Sequence, residues 1–198
     1  SARWNHAVPV DGKRVAVIGT GSTAVQIVSG LVDRVAELKL FQRTAQWVLP
    51  AFDAEYSDWS KEILRRIPGL TKWLHNRYSD VYHGILSGGF GRERVLFINT
   101  FRMMAERHLN SVRDPELRRR LTPDYRFGCK RFILSDRFYD AMQQPQTQLV
   151  TDGIERIEPG GIRTSDGTLH EVDVIVLATG FKAQNYVRPI QLTGTNGI

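Results

Sequence analysis

Cysteine is nearly absent: Cys129 is the only one in 198 residues. A single thiol makes neither an intrachain disulfide nor a Cys-x-x-Cys redox pair, which argues against disulfide-reductase chemistry within this span. Free cysteine is commonly buried, so Cys129 is expected as a packed thiol. Histidine is sparse and dispersed. His6, His75, His83, His108 and His170 have no metal-ligand spacing, so neither a metal site nor a Ser-His-Asp arrangement is assigned. No apolar run approaches the roughly 18 residues of a membrane span, and Ser1-Ala2-Arg3-Trp4 opens the chain without a signal-peptide apolar core. The expected compartment is therefore cytoplasmic, with no transmembrane segment. The chain opens without an initiator Met, which suits an excised fragment.

Hydrophobic residues at 41% and charged residues at 24% are the proportions of a globular domain and argue against wholesale disorder. The net charge of +6 is unevenly placed, because residues 61–131 carry 16 Lys/Arg against 7 Asp/Glu and the remainder carries 11 against 14. A basic middle of this kind attracts nucleic acid, an anionic membrane or a phosphorylated cofactor, but at this density it reads first as a solvated helical face.

The densest signal is Lys13-Arg14-Val15-Ala16-Val17-Ile18-Gly19-Thr20-Gly21-Ser22-Thr23-Ala24, a short apolar strand running into Gly-x-Gly-x-x-Ala. Such a turn brings backbone without Cβ atoms close to a pyrophosphate, and the helix that follows aims free N–H groups at its charge. Ala24 in the third position still permits close helix–strand packing. About twenty residues later, where an NAD-binding chain places an acidic side chain for the ribose, this chain reads Phe41-Gln42-Arg43-Thr44. A cation there favours a 2′-phosphate, hence NADPH. The bland alternatives are an ordinary surface cation for Arg43 and a turn cap for Thr44.

Three stretches separate by pattern. Arg14–Ile18, the helical spacing of Ala24, Ile27, Val28 and Leu31, and Leu38–Phe41 make half of a βαβ unit. Residues 51–125 read as a helical insertion, with Trp59, Ile63, Ile67, Leu70 and Leu74 as one possible face, interrupted at Pro68-Gly69 and Gly88-Gly89. Within it Asp114-Pro115-Glu116 marks the start of a short helix. From Gln148 the chain turns to short β segments, Gln148–Val150, Ile154–Ile157, Gly161–Thr164 and Thr168–Glu171, read as an antiparallel meander. Asp173–Leu177 follows as an almost wholly apolar strand, expected in the centre of a parallel sheet and covered on both faces. Ahead of the meander, Cys129-Lys130-Arg131 precedes the apolar Phe132-Ile133-Leu134. Two adjacent cations at a strand edge point to opposite sides, which would let one serve the cofactor and the other the chemistry, but by themselves they read first as a solvated pair. The expected fold is α/β: a Rossmann-like parallel sheet with a helical insertion and a small antiparallel β-meander.

Together these residues resemble the Baeyer–Villiger monooxygenases, within the NADPH-dependent flavoprotein monooxygenases. The resemblance covers nearly the whole chain. Ser1-Ala2-Arg3-Trp4 is similar to the end of the family fingerprint Phe-x-Gly-x-x-x-His-x-x-x-Trp, although Asn5 stands where proline or aspartate is usual. Gly19–Gln26 resembles the second nucleotide fingerprint, and Phe41–Pro50 the segment after its second strand. The resemblance implies that Gly19, Thr20, Gly21, Ser22, Thr23 and Gln26 lie at the dinucleotide, that Arg43 and Thr44 hold the 2′-phosphate, and that Lys130 is an additional phosphate-binding lysine. Arg131 matches the active-site arginine that sits over the flavin. Asp173–Gly180, with Thr179 and Gly180 at the cofactor, resembles the strand leading back to an FAD domain, and Gly194–Gly197 the start of the next segment.

By this resemblance residues 1–12 are a linker, 13–180 an NADPH-binding domain and 181–198 a connection toward an FAD domain of the same polypeptide. The implied chemistry is hydride transfer from NADPH to FAD, capture of dioxygen as a C4a-peroxyflavin and oxygen insertion into a small-molecule ketone. At 198 residues the chain is short for a complete two-nucleotide flavoenzyme, so it is expected to be inactive alone. The alternatives are a flavin monooxygenase acting on nitrogen or sulfur, and a non-catalytic basic module that binds a polyanion. Trp4 favours the first reading over the second, and the glycines with Arg43 and Lys130 argue against the third, so no nucleic-acid partner is expected.

Overall fold

A computed structural model describes residues 4–51, 53, 55–88, 94–181 and 193–195. Ser1-Ala2-Arg3, Gly89 and most of the 181–198 connection, Asn196 and Gly197 included, lie outside the described residues. The elements in chain order are β1 (Arg14–Ile18), α1 (Ser22–Leu31), β2 (Glu37–Phe41), β3 (Val48–Leu49), α2 (Asp58–Arg66), α3 (Leu70–Gly88), α4 (Arg94–Leu109), α5 (Pro115–Leu121), β4 (Ile133–Leu134), α6 (Phe138–Met142), β5 (Thr147–Val150), β6 (Ile154–Glu158), β7 (Gly161–Thr164), β8 (Leu169–Glu171) and β9 (Val174–Leu177).

Four of these strands form a parallel sheet in the order β5-β2-β1-β9. That order corresponds to the 3-2-1-4 arrangement of doubly wound nucleotide-binding sheets. Side chains alternate across it with period two. Val15, Val17, Leu38, Leu40, Leu149 and Val176 face a core closed by α1 and α6, whereas Ala16, Phe41 and Val150 face Ile162 and Val172 on the opposite side. The second face is covered by the antiparallel sheet β6-β7-β8, so the fold has three layers. Each fully buried Val or Leu in such a core contributes about 1.5–3 kcal/mol through area removed from water.

Two strand assignments differ from expectation. The segment ending at Val150 pairs in parallel with β2 and belongs to the main sheet, not the meander. β9 stands at an edge of the four-stranded sheet, not in its centre: Val176 is buried but Leu177 is 54% exposed. Its apolar character reflects the two packed faces, while its outer edge has no strand beside it among the described residues.

The helical insertion also differs in detail. The face predicted through Trp59, Ile63, Ile67, Leu70 and Leu74 is not a buried one, because α2 has no buried residue and Trp59, Ile67 and Leu74 are exposed. The Pro68-Gly69 break separates α2 from α3, so one helical period does not run through both. Packing falls instead to α4, whose Ala105 is buried with Trp47, Leu49 and Phe127. Much of the basic surface of α2 and α3 is paired, Lys61 with Glu55, Arg66 with Glu62 and Arg77 with Asp80. α5 starts as expected, with the Asp114 carboxylate accepting from the Glu116 N–H at 2.9 Å and Pro115 in its first turn.

β9 is secured at both ends. At its start, Arg14 Nη2 donates to Asp173 Oδ1 at 2.7 Å and the Arg14 N–H to Asp173 Oδ2 at 2.9 Å. At its end, Gly19 adopts φ +113°, and a Cβ there would lie 2.4 Å from the Ala178 carbonyl oxygen. Gly19→Ala is therefore expected to lower stability by about 1–3 kcal/mol through strain and steric overlap, measured by urea denaturation. The hydrogen bonds and charge of Arg14 hold the Asp173 carboxyl at about 2, below its ordinary 3.8. A carboxyl so depressed stabilises the fold fully above its unfolded value, and the contribution is lost as pH falls toward 2. Thermal melting between pH 2 and 6 should accordingly show a shallower acid limb for Asp173→Asn than for the wild type.

Candidate nucleotide-binding site

Parallel pairing places the carboxyl ends of β5, β2, β1 and β9 along one edge of the sheet, in register from Val150 through Phe41 and Ile18 to Leu177. The four loops leaving those ends line one cleft of 520 Å³. Gly19, Thr20 and Gly21 come from the first, Gln42, Arg43 and Thr44 from the second, Thr151, Asp152 and Gly153 from the third, and Ala178, Thr179 and Gly180 from the fourth. A crevice outside the carboxyl ends of parallel strands is where open α/β sheets bind ligands.

The glycine turn delivers the chain directly into α1. Gly21 caps that helix in an extended conformation with no side-chain hydrogen bond, and no acidic residue occupies the first turn. The first N–H groups of α1 are thus left for an anion, and the helix dipole favours one there. Thr20 Oγ1 donates to the Thr44 carbonyl at 2.7 Å, which ties the glycine turn to the loop carrying Arg43. The same loop is held from behind by Gln42, buried to 6% exposure, whose Nε2 donates to the Arg120 carbonyl at 2.6 Å. Arg120 Nη2 in turn donates to the Leu149 carbonyl at 2.6 Å and to Thr151 Oγ1 at 3.1 Å. A second cleft of 540 Å³ shares Gln42, Arg43, Thr44, Thr151 and Asp152 with the first and extends it toward Arg119 and Arg120.

Lys130 reaches the cleft from a fifth direction. It follows a turn in which Gly128 has φ +88° and the Cys129 N–H donates to the Arg126 carbonyl at 3.1 Å. That turn carries Cys129 onto the surface, where its thiol is exposed rather than packed as expected. Lys130 and Arg131 also sit on the loop before β4 rather than within a strand edge, since β4 begins at Ile133. Lys130 Nζ lies 4.3 Å from the centroid of the Tyr125 ring. Among the described residues neither Arg43 nor Lys130 forms an ion pair, so two cations border one crevice against a single lining carboxylate, Asp152.

The structure therefore brings together Gly19, Thr20, Gly21, Arg43, Thr44, Lys130, Thr179 and Gly180. Ser22, Thr23 and Gln26 are exposed on the first turns of α1 and do not line the cleft, and Arg131 is exposed beside Lys130 without lining it either. Sequence reasoning missed Gln42, Gln46 and the Thr151–Gly153 loop. The signal for that loop was present: had Thr147–Val150 been assigned to the parallel sheet, the residues after its carboxyl end would have been candidates.

No protein-family model matches the chain. An uncharacterized monooxygenase of Mycobacterium tuberculosis is 48% identical to it over 202 residues, covering 100% of this chain and 40% of that protein. A Baeyer–Villiger monooxygenase of Pseudomonas aeruginosa is 37% identical over 199 residues, again covering 100% of this chain and 37% of that protein. Among solved structures, an oxidized steroid monooxygenase bound to NADP superposes with a TM-score of 0.69 at 27% identity, over 91% of this chain and 41% of that one. The chain spans about two-fifths of the length of the curated relatives it matches. Over its whole length the chain is therefore similar, in sequence and in fold, to part of a Baeyer–Villiger monooxygenase.

Proposed function

We propose that this chain is the NADPH-binding portion of a cytoplasmic flavin-dependent monooxygenase of the Baeyer–Villiger type, acting on a ketone and dioxygen to give an ester or lactone. The observation that carries the reading is the convergence of Gly19, Arg43, Lys130 and Gly180, distant in sequence, on one crevice. A dinucleotide fits the chemistry of that crevice. Gly19 and Gly21 admit a pyrophosphate close to the backbone, with the N–H groups at Ser22 and Thr23 directed toward its charge. Arg43 and Thr44 hold a 2′-phosphate, Lys130 adds a second positive charge to it, Thr179 and Gly180 close the far wall, and Gln26, outside the crevice lining, is assigned to the dinucleotide only where the ligand extends beyond the crevice along α1.

Arg131 is assigned to the reaction side, where a cation stabilises negative charge that develops during oxygen transfer. FAD supplies the redox chemistry and the activation of dioxygen when bound, and it is held mainly by the part of the longer protein that this chain does not span. Residues 13–180 form the NADPH domain with 51–125 as its insertion, residues 1–12 lead in, and 181–198 lead toward the FAD portion. The basic insertion is no polyanion platform in this reading, because many of its cations are already paired.

Titration with NADPH and NADH tests the assignment. The chain should prefer NADPH, and Arg43→Ala should weaken NADPH about 10- to 100-fold, as expected for a lost charge-assisted contact, while NADH changes little. Equal binding of the two nucleotides by the wild type would overturn it. Purified alone, the 198-residue chain should carry no yellow flavin and oxygenate no ketone; a tightly bound flavin would contradict the division of roles.

A further inference from the structure

We propose that Tyr125 is a positioning residue for Lys130, and that its ring face sets how strongly this chain prefers a nucleotide bearing a 2′-phosphate over one without it. The inference rests on the NADPH reading and extends it to a residue that does not line the cleft.

Lys130 is exposed, on a loop, at the end of a long flexible side chain whose rotamer freedom opposes fixing it over a phosphate. The Tyr125 ring offers the ammonium a resting place, with Nζ 4.3 Å from its centroid, inside the range of a cation–π contact. The ring itself is pinned. Its hydroxyl donates to Gln46 Oε1 at 3.0 Å, and its carbonyl accepts from Trp47 Nε1 at 3.1 Å. Trp47 packs edge-on to Phe127 at 5.7 Å, and Phe127 stacks on Phe132 at 5.9 Å.

Gln46 and Trp47 lie two and three residues after Thr44. One short segment therefore carries the Arg43-Thr44 pair and also anchors the platform for Lys130, which fixes the two cations relative to each other across 87 residues of sequence. A carboxylate in place of the ring would neutralise the ammonium and compete with a phosphate for it. A ring quadrupole holds the ammonium from one side and leaves its full charge and its outward N–H donors available. A 2′-hydroxyl draws much less on that charge, so the effect falls on discrimination rather than on nucleotide binding in general.

The readout is the ratio of NADH to NADPH dissociation constants, measured on the whole chain. Tyr125→Leu should lower that ratio about five- to twentyfold, through weaker NADPH binding, as expected for loss of a partly desolvated cation–π platform. Tyr125→Phe keeps the ring face and the Trp47 anchor but loses the Gln46 hydrogen bond, and should lower the ratio clearly less than Tyr125→Leu does. In the Lys130→Ala background Tyr125→Leu should cause no further loss. A ring-fluorinated phenylalanine at 125, which weakens the quadrupole at nearly constant shape, should lower the ratio relative to Tyr125→Phe even if the leucine variant does not fold. An unchanged ratio in the leucine and fluorinated variants, equal weakening of NADPH and NADH, tighter NADPH binding, or effects of Tyr125→Leu and Lys130→Ala that simply add would each overturn the role of Tyr125 while leaving the nucleotide assignment standing. A wild type that does not discriminate would overturn both.

Discussion

Ile18, Phe41, Val150 and Leu177 end neighbouring parallel strands at one level, so every loop leaving those strands emerges at the same edge of the sheet. In an antiparallel sheet the loops would alternate between two edges, and the glycine turn would not share a crevice with Arg43 and Gly180. The pairing depends on burial of both faces, with α1 and α6 on one side and the meander on the other. Anything that slips the register by one residue exchanges these faces, burying Lys39 in place of Leu38 or Leu40 and dispersing the site.

Charge placement follows a corresponding division. On the helical insertion several cations are matched by nearby carboxylates, often three or four residues apart along one helix, and such exposed pairs add little to stability. At the crevice Arg43 and Lys130 form no ion pair among the described residues, and Asp152 is the one carboxylate lining it with them. Two cations and a free helix N-terminus outweigh that one carboxylate, and a multiply charged phosphate ligand satisfies the remaining positive field where surface water does so less well. Hydrogen bonds behind the loops hold this arrangement: Thr20 to Thr44, Gln42 to Arg120, and Arg120 to Leu149 and Thr151.

Local pattern made much of this legible in advance. β1, the glycine turn, α1 and β2 are contiguous and rest on short-range rules of alternation, helical spacing and turn chemistry, so they stand close to where the residues place them. The α5 start and the β6-β7-β8 meander were readable for the same reason. What local pattern did not disclose was partnership. A four-residue β segment such as Thr147–Val150 looks the same whether it pairs with a meander or with a parallel strand 109 residues earlier, and an apolar strand such as β9 looks the same at an edge as in a centre. The predicted face through α2 and α3 failed because helical spacing records amphipathicity but not whether another element covers the apolar stripe.

The amino-acid sequence by itself determined the chemistry available: a glycine turn fit for a pyrophosphate, a cation where an acid would select NAD, and a Lys-Arg pair after a glycine. Tertiary structure alone decided that Cys129 faces outward and that Thr151–Gly153 and Gln46 belong to the site. The reason is that residue type and spacing are encoded along the chain, whereas direction and neighbourhood arise only when strands remote in sequence pair and bring their ends to one level.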